Sequence, residues 1–308
     1  MGMAEYIQML HNAGIPYREN EPMVAHTTFR AGGAARVAVF PSNREQLLTA
    51  LRATAYGLPL TVLGNGSNVL FRDGGYNGVV VVTTALQDVA FSDVAEDGRV
   101  HVTVSCGVSL TGLAGACRKK GLSGLEFAYG IPGTVGGAVY MNAGAYGGQM
   151  SDVVTGSRYY DADEGRVAEW SASEHDFDYR FSRYMTCPHK TVLDVTLSLT
   201  PDDPSEILKR MTAHMDARKA KQPLEYPSAG STFKRPEGRF VGQMTEECGL
   251  KGYTVGGAQL SEKHGGFVIN RGGATASDVL AVMEHIEGVI FDTYGVRLER
   301  EVQVLGEE

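Results

Sequence analysis

The stretch Gly130-Ile131-Pro132-Gly133-Thr134-Val135-Gly136-Gly137, continuing through Asn142-Ala143-Gly144-Ala145-Tyr146-Gly147-Gly148, lies within 25 consecutive uncharged residues, 127–151. So much glycine is too permissive for ordinary packing, yet the stretch is too apolar for a solvated loop. A main chain lying against a flat apolar ligand meets both conditions, because glycine lets backbone approach where a Cβ would intrude. A plain structural loop is the competing reading, since glycine clusters also punctuate chains. Pro132, Asn142 and Gln149 make the stretch a poor membrane span.

Upstream, Leu63-Gly64-Asn65-Gly66-Ser67-Asn68 directly follows an apolar run, 60–63, that reads as a buried strand. Glycines there let successive N–H groups converge into an anion nest, with Ser67 and Asn68 as further phosphate donors. The dinucleotide fingerprint G-x-G-x-x-G would need glycine where Val69 stands and a helix after it. A tight turn is the plain alternative. Residues 36–40 read as another strand, followed by a helix with Ser42 as N-cap, Glu45 in its box, Leu47, Leu48 and Leu51 as its stripe and Gly57 as its stop. Residues 36–63 are therefore expected to form a β-α-β unit with parallel pairing.

Further strands are expected over 79–82 and 100–104, and Ser109 opens a helix carrying Leu110, Leu113 and Cys117 before Gly121. Residues 153–199 alternate in short segments, as an antiparallel sheet does. A boundary follows at Pro201-Asp202-Asp203-Pro204, where Asp203 caps a helix buried through Ile207, Leu208, Met211 and Met215. A last helix starts at Thr275, boxed by Asp278, buries Val279, Val282, Met283, Ile286 and Ile290, and stops at Gly295; residues 296–305 then read as a strand.

The composition narrows the function. Glycine supplies 39 of 308 residues, well above an average share of about 7%. The formal net charge of −8 and the absence of a basic run beyond Arg118-Lys119-Lys120 argue against nucleic acid. Cys106, Cys117, Cys187 and Cys248 fall at no metal-ligand spacing and read as reduced thiols of a cytosolic protein. The eight histidines form no metal-binding pattern, so no metal is expected. No secretion signal, myristoylation pattern or membrane segment is evident, and nothing marks an obligate protein partner.

Three other stretches carry polar residues of interest: Tyr226-Pro227-Ser228-Ala229-Gly230-Ser231-Thr232-Phe233-Lys234-Arg235, Asp178-Tyr179-Arg180-Phe181-Ser182 and Leu298-Glu299-Arg300-Glu301-Val302. None fits a nucleophile elbow. On spacing alone Ser231 is a turn hydroxyl, and Arg297, Glu299, Glu301 and Gln303 form the solvated side of a strand.

Taken in order, with Thr27-Thr28-Phe29-Arg30-Ala31-Gly32-Gly33 at the front, these segments resemble the bacterial UDP-N-acetylenolpyruvoylglucosamine reductase (MurB) family. That resemblance implies an α+β fold: a two-subdomain FAD-binding fold of the vanillyl-alcohol-oxidase-like (PCMH-type) flavoproteins plus a C-terminal α+β substrate-binding domain. The implied divisions are 1–85, 86–200 and 201–308. The short C-terminal part and Arg235 match the subtype without the extra tyrosine-bearing loop.

The resemblance assigns noncovalent FAD to Gly64, Asn65, Gly66, Ser67 and Asn68 at the pyrophosphate, and to Gly130, Ile131, Pro132, Thr134, Gly136, Gly137, Asn142 and Gly144 along the flavin. It implies a cytoplasmic enzyme of peptidoglycan precursor synthesis that uses NADPH to reduce UDP-N-acetylglucosamine enolpyruvate to UDP-N-acetylmuramate. Arg180 and Glu301 match the residues that polarise the enolpyruvyl carboxylate, with Glu301 expected to have a raised pKa. Ser231 matches the proton donor to C2, and Tyr179, Lys221 and Arg235 match substrate-binding positions. The alternatives are a flavin oxidase of the same superfamily acting on a small alcohol or sugar, and a nonenzymatic nucleotide-binding protein. Many such oxidases attach FAD through histidine, and neither glycine-rich segment contains one.

Overall fold

The computed structural model describes residues 2–307. Its α-helices, among those residues, are α1 (Gly2–Asn12), α2 (Arg44–Ala50), α3 (Leu110–Lys119), α4 (Val135–Tyr140), α5 (Pro204–Lys221), α6 (Val241–Glu247) and α7 (Ala276–Tyr294). The chain forms two compact units. One gathers Met1–Arg18, Val37–Asn65 and Gly78–Ala217, and the other Glu19–Arg36, Gly66–Asn77 and Arg218–Glu308. Compactness thus departs from a linear division of the chain, because two short N-terminal segments fold with the C-terminal third. Phe29 is fully buried in the second unit's core. Asn270 fastens the same segment, its Nδ2 donating to Phe29 O at 3.0 Å and Arg30 O at 3.1 Å.

In the first unit, Leu60–Leu63 pairs in parallel with Tyr76–Val82, Leu60 opposite Val79 and Leu63 opposite Val82. The strand order places Tyr76–Val82 between Ala34–Val39 and Leu60–Leu63. The direct pairing expected within residues 36–63 is corrected accordingly. Val79, Val80, Val81 and Val82 are all buried, and an unbroken apolar run belongs in a central strand covered on both faces. The cap of α2 is also corrected: Asn43, not Ser42, accepts from Gln46 N at 2.9 Å. Ser42 is held instead by the Gln46 side chain, through both its N–H and its hydroxyl. Gly57 ends the following 3-10 turn at φ +69°.

The expected antiparallel sheet runs in the order Arg166–Ser171, Val154–Asp161, Lys190–Pro201, Val100–Ser105, Val89–Val94. Ser109 caps α3 by accepting from Gly112 N, and Leu110, Leu113 and Cys117 are buried. Helix α5 starts at Pro204 with Asp203 accepting from Ser205 N. Its buried stripe is narrower than expected: Ile207 and Met211 face the core, whereas Leu208 is 44% exposed and Met215 half-buried. Residues four apart share a helix face, but the next residue lies a quarter-turn round it.

In the second unit, α7 has the expected capping box of Thr275 and Asp278 and the left-handed Gly295 at its end, and it buries Val279, Val282, Met283, Ile286 and Ile290. Asp73 adds bonds to Ala276 N and Ser277 N, both 2.8 Å. The antiparallel strands Thr254–Val255, Ala258–Leu260 and Val268–Asn270 share the core with α7. The final strand is only Gln303–Leu305, paired in parallel with Val69–Phe71, not the whole of 296–305. Upstream side chains are drawn into separate ion pairs, Arg300 with Glu287 and Glu299 with Lys234.

Candidate active site

The glycine-rich stretch of the first unit is more tightly packed than its composition suggests. Gly136 N donates to Cys106 O at 2.9 Å, and a Cβ on Gly136 would lie 2.8 Å from that of Cys106. A Cβ on Gly144 would meet Gly148 O at 2.7 Å, and one on Gly148 would meet the Phe127 ring at 2.7 Å. These glycines serve the protein's own packing, which corrects the reading that the stretch is too permissive to pack. Gly137 differs. It is exposed and helical, and the nearest atom to its added Cβ is Thr134 Oγ1 at 3.7 Å. Nothing within the protein explains a glycine there, and its exposed surface leaves room for a ligand.

The two glycine-rich segments are laced together. A Cβ on Gly64 would come within 2.1 Å of Thr134 Oγ1, and Asn65 Nδ2 donates to Pro132 O at 2.8 Å. Thr134 is buried, Ile131 and Gly130 are half-buried, and Pro132 is exposed.

Arg180 occupies a tight turn in which Asp178 and Phe181 exchange both backbone hydrogen bonds at 3.1 Å. Its φ is +52°, a left-handed conformation that costs a side-chain-bearing residue about 1–2 kcal/mol. Contacts to the glycine-rich stretch over-determine the turn: Arg180 Nη2 donates to Gly144 O at 2.9 Å and Asn142 Nδ2 to Asp178 O at 3.0 Å. Asn142, 1% exposed, also accepts from Ser151 N at 3.0 Å and reaches Gln149 Oε1 at 3.4 Å. Its amide is therefore occupied within the protein and leaves no side-chain donor for a ligand. Tyr179 is 46% exposed, and the Arg180 guanidinium lies 5.1 Å from its ring centre.

In the second unit, Ser231 and Glu301 come to adjacent segments. Glu301 N donates to Thr232 O at 2.9 Å and Lys234 N to Glu299 O at 2.8 Å, with Phe233 bridging Arg300. Thr232 is anchored behind them, its N–H on Gly266 O and its Oγ1 accepting from Val268 N. Gly230, at φ +74°, turns the chain so that Ser231 is exposed. Asn68 meets the same structure: its Nδ2 donates to Glu301 O, and its carbonyl accepts from Gln303 N, both at 2.9 Å.

Beside Asn68, Gly66 has φ +58°, and its added Cβ would lie 2.3 Å from His26 O and 2.9 Å from Thr27 Cα. Thr27 Oγ1 is buried with no hydrogen-bond partner. A buried hydroxyl left unpaired is costly, and next to this glycine turn it suits a phosphate oxygen. The sequence reading gave Thr27 no role. Its only signal was membership of the Thr27–Gly33 run.

Lys221 is exposed at the end of α5. Burial first, then the charges of Lys251 and Lys221, hold His264 below its ordinary pKa. Arg235 is exposed and lies 4.6 Å over the Phe240 ring.

Residues 222–305 match the sequence model of the UDP-N-acetylenolpyruvoylglucosamine reductase C-terminal domain, and residues 35–171 match that of an FAD binding domain. A UDP-N-acetylenolpyruvoylglucosamine reductase of Clostridium perfringens is 40% identical over 99% of this chain and 100% of its own. The chain belongs to the UDP-N-acetylenolpyruvoylglucosamine reductase family. The reductase of Pediococcus pentosaceus is 43% identical over 94% of each chain. The crystal structure of the Thermus caldophilus enzyme superposes with a TM-score of 0.79 at 34% identity, covering 94% of this chain and 98% of that one.

The expected FAD-binding fold followed by a distinct C-terminal domain is borne out by these matches. The chain is an FAD-binding oxidoreductase of this reductase family. Each unit by itself fits such a ligand: in the second, the glycine turn at Gly66 and the unpaired Thr27 hydroxyl suit an anion, and in the first, the open face at Gly137 suits a flat group. Among the described residues, no helix is long and apolar enough to cross a membrane.

Proposed function

We propose that this protein reduces UDP-N-acetylglucosamine enolpyruvate to UDP-N-acetylmuramate at the expense of NADPH, in the cytoplasm, as a step of peptidoglycan precursor synthesis. The observation that carries the reading is the hydrogen-bonded register of the Ser231 and Glu301 segments, in a chain related end to end to such reductases. FAD, held by residues 64–68 and 130–137, would supply the hydride-carrier chemistry, with NADPH as donor and C3 of the enolpyruvyl group as acceptor.

The chain's own residues do the rest. Backbone amides of residues 64–68, with the hydroxyls of Ser67 and Thr27, neutralise the pyrophosphate. Residues 130–137 and Gly144 would present main chain to the flavin, Gly137 with an exposed backbone that carries no Cβ. Arg180 meets the enolpyruvyl carboxylate with its planar fork and stabilises the charge that develops at C2. Ser231 donates the proton to C2; a hydroxyl is a weak acid, so it serves only a strongly basic acceptor held within hydrogen-bond reach. Glu301 assists in its protonated form, since a carboxylate would repel the developing negative charge. Lys221 and Arg235 hold the diphosphate, and Tyr179 packs on the substrate.

The test is NADPH consumption by the purified, FAD-loaded protein with and without UDP-N-acetylglucosamine enolpyruvate, with flavin spectra recorded throughout. Substrate-dependent consumption is expected, and all yellow cofactor should leave the denatured protein. Its absence with active flavin defeats the reading, and colour retained by the denatured chain would favour a covalent flavin oxidase.

A further inference from the structure

Two asparagines of the cofactor segments spend their side-chain amides elsewhere. In the second unit, Asn68 Nδ2 donates to the carbonyl of Glu301 at 2.9 Å, while Glu301 N donates to Thr232 O at 2.9 Å. The peptide of Glu301 is thereby gripped on one side by the segment that carries Ser231 and on the other by the phosphate loop. The next strand fixes the register, with Gln303 N on Asn68 O and Gln303 opposite Val69. In the first unit, Asn142 Nδ2 donates to Asp178 O at 3.0 Å, at the base of the turn that holds Arg180 at φ +52°. Asn142 Oδ1 is itself fixed by Ser151 N at 3.0 Å.

The arrangement has the same form in both units. An asparagine of a glycine-rich cofactor segment holds the backbone of a segment bearing a group that acts on substrate. A strained turn persists only where its surroundings over-determine it, and Asn142 and Gly144 are the partners that do so for Arg180. Glu301 sits in a stretch with little ladder pairing of its own, and these two bonds hold its backbone.

We infer that Asn68 and Asn142 are positioning residues, which set Glu301 and Arg180 for the reaction with substrate through the backbone of their segments. The inference rests on the roles given above to Arg180 and Glu301. It separates the two halves of the catalytic cycle. Reduction by NADPH needs neither Arg180 nor Glu301, whereas reoxidation by the enolpyruvyl substrate needs both.

The experiment uses FAD-loaded Asn68→Ala and Asn142→Ala proteins in anaerobic stopped flow. At saturating FAD, reoxidation by UDP-N-acetylglucosamine enolpyruvate should slow about 10–100-fold more than flavin reduction by NADPH does, as for outer partners of a reacting group. In a double-mutant cycle, Asn68→Ala should add less than about twofold on a Glu301→Ala background, and Asn142→Ala as little on Arg180→Ala.

Asn68→Leu and Asn142→Leu keep the shape, add no charge and lose the donated hydrogen, and should show the same selective loss where the alanine variants do not fold. Equal loss in both half-reactions at saturating FAD, unchanged reoxidation, or full multiplication in the cycles overturns the inference. Wild-type reoxidation by Arg180→Ala and Glu301→Ala alone would instead defeat the roles assigned to those two residues.

Discussion

Gly64→Ala tests whether the first glycine of the phosphate loop is dictated by the ligand or by the protein. A Cβ on Gly64 would lie 2.1 Å from Thr134 Oγ1, 3.0 Å from its Cγ2 and 3.1 Å from its Cβ. Carbon and its neighbours settle near 3.5–4.0 Å, so Thr134 or the loop must move by about 1 Å. Thr134 cannot yield easily, because it is buried and bridges Ser109, and rotating χ1 brings one γ atom in as the other leaves. Overpacking of this kind costs about 1–3 kcal/mol, on the order of 2–12 °C in melting temperature for a chain of this size.

Thr134→Ala removes both γ atoms and leaves one contact at 3.1 Å, which a shift of a few tenths of an ångström relieves. The double variant should therefore recover most of the loss. Melting of the flavin-free protein reads the packing cost, and repeating it at saturating FAD adds the ligand contribution, RT ln(1 + [FAD]/Kd). A flavin-free Gly64→Ala protein melting within about 1 °C of wild type while FAD affinity collapses would refute the steric argument. Purely additive losses in the double variant would refute it too.

Ser231→Ala should leave reduction by NADPH near wild type and slow reoxidation by substrate by orders of magnitude; equal loss in both half-reactions would contradict proton donation. Glu126→Gln removes a charge held by Arg210, Ser123 Oγ and Gly124 N; burial opposes ionisation, but these bonds together keep the carboxyl below its ordinary value of 4.5. Because the guanidinium is 43% exposed, the cost at pH 7 is about 1–2 kcal/mol. The wild-type advantage persists above pH 4.5 and fades as pH falls through the lower folded value, so melting temperatures at pH 7 and pH 4 check it. His175 is fully buried, with Ser157 Oγ at 2.7 Å from its Nε2, and burial holds its pKa below 6.5. The unfolded chain takes up that proton first, so stability falls as pH drops through 6.5. His175→Gln should flatten the melting curve between pH 7 and pH 5 by up to about 1.4 kcal/mol per pH unit, and an unchanged slope would contradict it.

What could be read in the sequence was local. The cap at Ser109, the box of Thr275 with Asp278 and the stops at Gly57 and Gly295 each depend on residues within one turn, and the structure has them. Strand order was not legible, because it depends on which apolar run is covered on both faces, and that is settled by the Val79–Val82 neighbours. Nor was the union of residues 27–33 with the C-terminal unit: Asn270 makes it by bonding Phe29, 241 positions away. In the candidate site, spacing left Ser231 a turn hydroxyl and Glu301 a surface acid. Only the hydrogen bonds joining their segments make them neighbours. The left-handed Arg180 was invisible, since arginine carries no signal for positive φ.

The glycine excess therefore divides by cause, and Gly137 isolates the ligand's share. Gly32, Gly33 and Gly75 are required by Phe71 O, Asp73 O and Ala34 O, which would lie 2.2–2.4 Å from added Cβ atoms. At Gly137 the space is open, with ordinary helical backbone and nothing nearer than 3.7 Å. Alanine there fits the protein and gains the usual helix preference, so flavin-free Gly137→Ala should be more stable than wild type by about 0.5–1 kcal/mol. If a flavin rests on that exposed face, the same methyl group intrudes on it and FAD affinity falls. The two effects have opposite signs, so thermal melting without flavin and fluorescence titration with FAD decide the matter together. A variant that gains stability and binds FAD unchanged would mean that the flavin lies elsewhere on the stretch.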